Sequence, residues 1–447
     1  SLGDPELDRL IDQAIASNLD IEVALTRLQE ARTQEAVVMG EALPEMAASG
    51  GGGVGTGSDL ARGRATPDLI SATNTSGRRV GLLVGFDAGW ELDLFGLSRR
   101  ESEAARYDSQ AAANARNAVL ISVVADVARA YVDLRGLQTQ LAVLYRNIRT
   151  TRRTLEVVQT RFDRGLTNEL DVTLSQRELA TLEAEVAPFD GEISAAQDTI
   201  AVLIGRFPEN VAQELAQPGM FPSLPPTIEP GLPLDLLRRR PDVNEAERQL
   251  AGATARIGVA TANLFPHIAI TGVVGYQGQS LGKLPAAGIA SVGPAAYWSL
   301  LDFGTLDALV DIADLQTHER LVQYKKSILV AVQQVDTAIA GYGAQQTRLG
   351  HLAQALIASE RAVTLASERY DRGLTDFLNV LDAERQEYQL ETQYAVAEQT
   401  AAEDFVALYR GLGGGWESHQ SIPPIRQPQP AIIAAFHRLL APEDATK

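Results

Sequence analysis

The chain states one unit twice. Arg161-Phe162-Asp163-Arg164-Gly165-Leu166-Thr167 recurs as Arg369-Tyr370-Asp371-Arg372-Gly373-Leu374-Thr375, a shift of 369 − 161 = 208 residues. The same shift carries Trp90 onto Trp298, Phe95-Gly96 onto Phe303-Gly304 and Gly205 onto Gly413. A gap-free register over that span reads as two copies of one structural unit rather than a chance likeness of short motifs. Upstream, Leu28, Val37 and Pro44 match Leu250, Val259 and Pro266 at a shift of 222. The first copy therefore holds 222 − 208 = 14 extra residues between Pro44 and Trp90. Insertions survive best in exposed loops, so a surface loop is longer in the first copy.

The duplication divides the chain into a first copy at 1–205, a Pro-rich linker at 206–232, a second copy at 233–413 and a Pro-rich tail at 414–447, read as partly disordered. Each copy opens with a helical stretch, Pro5 to Gly40 and Pro233 to Asn263. A strand hairpin follows, at about 45–94 and about 267–303. From Val80 through Leu82, Val84, Phe86, Ala88, Trp90, Leu92 and Leu94 every even position is apolar, while the odd ones are mostly Gly, Asp or Glu. That is period-two alternation, with one apolar face and one small or polar face. The 14 extra residues fall at the tip of this hairpin, in a Gly/Ser/Thr loop.

After Phe95-Gly96 the period changes to steps of three and four, from Leu120, Val124, Val127 and Tyr131 on to Phe162, with a matching series in the second copy. This predicts long helical hairpins at about 98–205 and about 305–412, packed as coiled coils. An uninterrupted helix over Ser98 to Arg161 would run ~95 Å. The returning limb is too short to match it, so two stacked segments are expected within the outgoing helix. Pro188 should bend the return limb of the first copy.

Bulk properties exclude more than they assign. The net charge of −18 argues against a nucleic-acid partner. With no cysteine, disulfides and thiol chemistry are out. No segment approaches the ~20 apolar residues of a membrane-spanning helix. Ser1 opens directly into structured sequence, which reads as a cytosolic protein or as a mature or trimmed chain. The five histidines lack metal-ligand spacing, and the glycine run Gly50 to Gly53 lacks the Lys-Ser/Thr of a phosphate loop. Neither an enzyme nor a cofactor is expected.

Four amphipathic strands cannot close a barrel by themselves. They either pack on helices in a soluble coiled-coil scaffold, or join strands of other copies in a barrel facing lipid. The alternation through Leu94 exceeds the ~9–11 residues that cross a bilayer. Both readings stand on pattern alone.

The residues also carry a resemblance. Asp4-Pro5-Glu6-Leu7, Asn18-Leu19-Asp20-Ile21, Arg238-Arg239-Arg240-Pro241-Asp242-Val243, Ala262-Asn263-Leu264-Phe265-Pro266, the doubled turn and Leu381-Asp382-Ala383 together resemble the TolC/OprM-type outer-membrane factor family, to about Gly415. The resemblance implies a mixed α+β membrane protein, a homotrimer whose twelve strands form one barrel in the outer-membrane lipid of a Gram-negative bacterium. Its helical hairpins would form a periplasmic α-barrel. As the exit duct of a tripartite efflux system, it would passively export small molecules such as drugs. A periplasmic adaptor protein would open its tip, and an inner-membrane pump of the RND type would supply energy. Many relatives carry a lipidated Cys, so either that anchor lies upstream of Ser1 or this member has none.

The resemblance also assigns residues. Leu378, Asp382 and Arg385, just inside the second turn, would form the periplasmic gate, with three symmetry-related Asp382 carboxylates attracting cations. Read without it, Asp382 and Arg385 form an i, i+3 ion pair on a solvated helix face. The turns Gly165-Leu166-Thr167 and Gly373-Leu374-Thr375 would contact the adaptor through exposed leucines; the bland reading is a duplicated helix cap. Trp90 and Trp298 read equally as an interfacial aromatic belt or as packing at the barrel–helix junction.

Overall fold

The computed structural model describes residues 3–56, 78–217, 219, 221, 224–225, 239–278 and 287–414. The expected long loop at the first hairpin tip, most of the linker and the tail lie outside them. So does Pro233 to Arg238. The elements in order are α1 (Pro5–Ser17), α2 (Leu19–Glu41), β1 (Glu45–Thr56), β2 (Arg78–Glu91), α3 (Leu97–Asp163), α4 (Glu169–Ala184), α5 (Val186–Leu203), α6 (Glu209–Ala212), α7 (Pro241–Ala262), β3 (His267–Gly278), β4 (Ala287–Tyr297), α8 (Thr305–Asp371) and α9 (Phe377–Leu412). Long helical hairpins with one small antiparallel sheet make this the expected mixed α+β class.

One expectation needs correcting. The outgoing helices are not stacked segments: α3 and α8 are single helices of 67 residues each. The interruption lies on the return limb, where α4 ends at Ala184 and α5 starts at Val186. Pro188 sits in the first turn of α5, where its missing N–H costs least.

The chain forms two compact units, each drawing on both sequence copies. The first takes in α1, α4, α5, α6, α9, most of α3, and α8 from Lys325 onward. Its core joins Leu7 and Leu10 of α1, Leu120, Val127, Tyr131 and Leu134 of α3, Ile200 of α5 and Val406 of α9. Asp4 caps α1 by accepting from the Glu6 N–H at 2.9 Å, and the Tyr131 hydroxyl donates to its other oxygen at 2.5 Å. Duplication shows in the side chains too. Buried Asn18 donates to the Leu203 carbonyl at 2.8 Å, and buried Arg240 donates to the Gly411 carbonyl at 2.8 Å. Each side chain thereby satisfies a carbonyl at the end of a return helix, a group that lacks an intrahelical partner.

The second unit contains the sheet, in the order β1-β2-β3-β4, all antiparallel. Its registers keep even positions together: Phe86 lies opposite Ala48 and Val274, and Trp90 opposite Ile270. One face therefore carries Val84, Phe86, Trp90, Ile270, Val274, Tyr276 and Val292, all exposed. The other carries mostly small or polar groups such as Gly85, Asp87, Thr271 and Ser291, with Val273 and Ile289 among them. Among the described residues both edges, β1 and β4, are open. No helix among the described residues is long and apolar enough to cross a membrane.

Candidate functional site

The helical-hairpin turns are built alike. Gly165 and Gly373 take φ of 71° and 70°, a conformation that costs glycine little. The Gly165 N–H donates to the Phe162 carbonyl and the Leu166 N–H to the Arg161 carbonyl, both at 2.8 Å. Gly373 and Leu374 repeat this with Tyr370 and Arg369 at 2.9 Å. This is the Schellman closure, in which the residue after the glycine ordinarily packs back on the helix. Here that residue is Leu166 or Leu374, each 63% exposed, and the position it would pack on is an arginine. A cap alone gives no reason for leucine there. Thr167 donates to Asp171, whereas Thr375 accepts from Asn379 Nδ2 at 2.9 Å, so both threonines tie the turn to the next helix.

The start of α9 divides its residues by face. Phe377, Val380 and Leu381 are buried with Val158, Val172 and Tyr370, joining both hairpins near the turns. Leu378 and Asp382, one helical turn apart, face outward. Arg385 does not form the i, i+3 pair with Asp382 that its spacing suggests. Its Nε donates to Glu178 Oε2 on α4 at 2.9 Å, with Nη2 on the same oxygen. Hydrogen bonding to Glu178 holds the Arg385 pKa above its ordinary value, with a smaller contribution from the Asp382 charge. Glu178 supplies the closer carboxylate, so Asp382 is left as an outward-facing charge.

Several residues that organise this end had no sequence signal. Arg161 lies over the Tyr370 ring at 4.5 Å and donates to the Asp371 carbonyl at 3.3 Å, binding one turn to the other. Thr154 donates to Glu384 at 2.8 Å, Asn147 to Glu391 at 2.9 Å, and Tyr388 to Glu185 at 2.7 Å. These contacts run between α9 and the first hairpin across more than 200 residues of sequence. Burial pushes the Glu384 carboxyl above the usual range, and its Oε2 has no hydrogen-bond partner. Only Arg161, Tyr370 and Asp371, inside the doubled motif, could have been picked out by repetition.

In the other unit, Trp90 Nε1 donates to the Ala42 carbonyl at 3.2 Å and Trp298 Nε1 to the Leu264 carbonyl at 3.1 Å. Both bonds tie a strand end to the turn between helix and strand, and both rings stay partly exposed. His267 pairs with Glu91 at 2.7 Å.

Known proteins share this arrangement. The outer-membrane channel OprN is similar with a TM-score of 0.85 and 34% identity, over 93% of this chain and 91% of that one. The MtrE outer membrane channel of Neisseria gonorrhoeae is similar with a TM-score of 0.77 and 29% identity, over 92% and 89%. In sequence, nodulation protein T of Rhizobium leguminosarum bv. trifolii is 28% identical over 418 residues, covering 93% of this chain and 87% of the relative. The solvent efflux pump outer membrane protein SrpC of Pseudomonas putida is 29% identical over 425 residues, covering 94% and 87%. The profile of one family matches residues 10–206 and 232–414, which take in the long helices and strands of both repeats. The chain belongs to the outer membrane efflux protein family.

Proposed function

We propose that three copies of this chain form a passive outer-membrane duct, each giving four strands to a twelve-stranded barrel. A periplasmic adaptor opens the helical tip, and an inner-membrane pump of the RND type supplies the energy. The observation that carries this reading is the sheet, with one continuous apolar face exposed and both edges open. A water-soluble scaffold would bury such a face; a lipid-facing barrel wall requires it. Small and polar groups on the opposite face suit a wet lumen.

Cargo selection belongs to the pump and adaptor. SrpC is named for solvent efflux and the Escherichia coli relative CusC, 28% identical over 423 residues, for cation efflux. Ducts so alike yet so differently supplied support a wide conduit with few specific contacts, open to small molecules including drugs. At the tip, Leu166 and Leu374 with Gly165, Thr167, Gly373 and Thr375 are the adaptor contact. Leu378 and Asp382 line the gate, and Arg385 holds α9 to α4 behind them.

Light scattering on detergent-extracted particles tests the assembly. Three chains per particle are expected, and a detergent-free monomer would overturn the reading. Asp382→Ala should raise single-channel conductance, because it removes a charged side chain from each of three symmetry-related positions. An unchanged current would remove Asp382 from the gate.

A further inference from the structure

The two repeat shifts act as a rule for strand register. Glu45 pairs with Gly89 in the first hairpin; adding 222 and 208 gives His267 with Tyr297, the pair observed in the second. The contact between copies inside the chain, β2 against β3, can be carried forward in the same way. Adding 208 to β2 and subtracting 222 from β3 converts Gly85–Gly275 into Gly293–Gly53, and Trp90–Ile270 into Trp298–Ala48. Resting on the trimeric duct, we propose that β4 of one copy pairs antiparallel with β1 of the next in this register. Phe303 then packs on Leu43 of the neighbouring copy.

Three observations support it. The first is glycine placement. A Cβ on Gly85 would lie 2.6 Å from the Val274 carbonyl oxygen, and one on Gly275 would lie 2.7 Å from that of Val84. This closeness demands glycine on both strands, and both derived counterparts are glycine. A Cβ on Gly293 would meet nothing within 4 Å among the described residues, so the crowding that Gly85 finds against β3 is absent there.

The second is strand length. β2 continues through Trp90 and Glu91 because β3 pairs with them, and the Leu92 N–H then donates to the Ile268 carbonyl at 2.7 Å. β4 stops at Tyr297, short of Trp298 and Ser299, where it lacks that partner.

The third is an unpaired aromatic. Phe95 stacks on Phe265 with ring centroids 4.8 Å apart and planes within 9°. Their counterparts are Phe303, 97% exposed, and Leu43, 64% exposed. Phe303 is also the one non-glycine residue with positive φ, 55°, among the described residues. A bulky residue in that conformation carries strain, and no described residue of the chain covers it.

Parity agrees as well. Paired numbers sum to 346, an even number, so the apolar faces of β4 and β1 run on without a step. A slip of one residue would set apolar positions beside polar ones. The edges carry no charge apart from Glu45 at the start of β1, and Pro294 of β4, which has no N–H to donate, leaves the seam at most one ladder bond short at that position.

The absence of native cysteine makes the test clean. Ala295→Cys with Gly51→Cys, and Ala296→Cys with Gly50→Cys, place thiols on directly opposed residues. The offset pairs Ala295→Cys with Ser49→Cys, and Ala296→Cys with Ala48→Cys, move one thiol two residues along. That displacement of about 7 Å exceeds disulfide reach, so register pairs should cross-link about tenfold more than offset pairs. Oxidation in membranes should lock three chains together. Cross-linking only at the offset positions overturns the register, and none at either in three-chain particles overturns the edge pairing; both leave the duct standing. Single-chain particles by light scattering overturn the duct and the pairing with it.

Discussion

The two return limbs began as copies and now differ. In the first copy, α4 and α5 meet at Glu185; in the second, α9 runs unbroken for 36 residues. Charge differs as well. Asp382 corresponds to Leu174, Glu384 to Gln176 and Glu387 to Leu179, each separated by 208. Leu174 is partly buried against the cluster near the turns, whereas Asp382 faces outward. One limb became packing and the other became surface and titratable interior. In the proposed trimer the tip would therefore carry three acidic positions rather than six.

The largest expected effect is at the ends of the limbs, where the copies still agree. Gly205 and Gly413 both have positive φ, 66° and 69°. A Cβ on Gly205 would overlap the Ser17 carbonyl oxygen, which is backbone and cannot yield; one on Gly413 would meet first the Arg240 side chain at 2.7 Å. Gly205→Ala should cost roughly 3 kcal/mol and Gly413→Ala roughly 2, adding a clash to the left-handed penalty. Chemical unfolding checks the order. Equal losses would mean that the Arg240 stem is as rigid as the Ser17 backbone.

Sequence made the repeats legible because duplication and periodicity are local signals. The apolar even face of β2, the glycine closures and the exposed leucines after them could all be read from spacing. The partner of Arg385 could not. Glu178 is 207 residues away, and the nearer Asp382 offered a plausible i, i+3 pair. The clasp of Arg161 on Tyr370 was hidden for the same reason, since it depends on how one hairpin lies on the other; the break at Glu185 was legible, because Pro188 lies three residues beyond it. The outgoing helix reads as two stacked segments only if the return limb must match its full length, and it need not. In fact α5 ends at the start of α2, where Asn18 meets Leu203.

A middle-sized effect concerns the titratable interior of α9. Glu384 is held above the ordinary carboxylate range by burial, and Glu387 and Glu178 push the same way, while the hydrogen bond from Thr154 pulls it down. A carboxyl whose pKa rises on folding adds stability at low pH and loses it as pH climbs through the folded value. Stability should thus increase as pH falls from 7 toward the usual glutamate range. Glu384→Gln should be about 1 kcal/mol more stable at pH 7, because it removes a buried charge with one unpartnered oxygen. It should also flatten the acid-side gain. A variant with the parent's pH slope would assign that slope to other groups, Glu398 and Glu403 first, since burial raises both.

The smallest effect should come from restoring the likeness of the limbs. The second-copy counterpart of Pro188 is Val396, inside unbroken helix. Proline cannot donate to the Ala184 carbonyl and crowds it, so Pro188→Val should let α4 and α5 join. Yet the net change should stay within about 0.5 kcal/mol, because the recovered helix bond is offset by moving Glu185, which accepts from Tyr388 at 2.7 Å. A double-mutant cycle exposes the cancellation. Tyr388→Phe should cost about 1.5 kcal/mol in the parent, where the hydroxyl bonds a carboxylate, and close to nothing beside Pro188→Val. If Tyr388→Phe costs the same in both backgrounds, proline is not what holds the limb open. The packing of Leu182, Phe189 and Tyr388 around Leu144 and Ile148 would then be the cause.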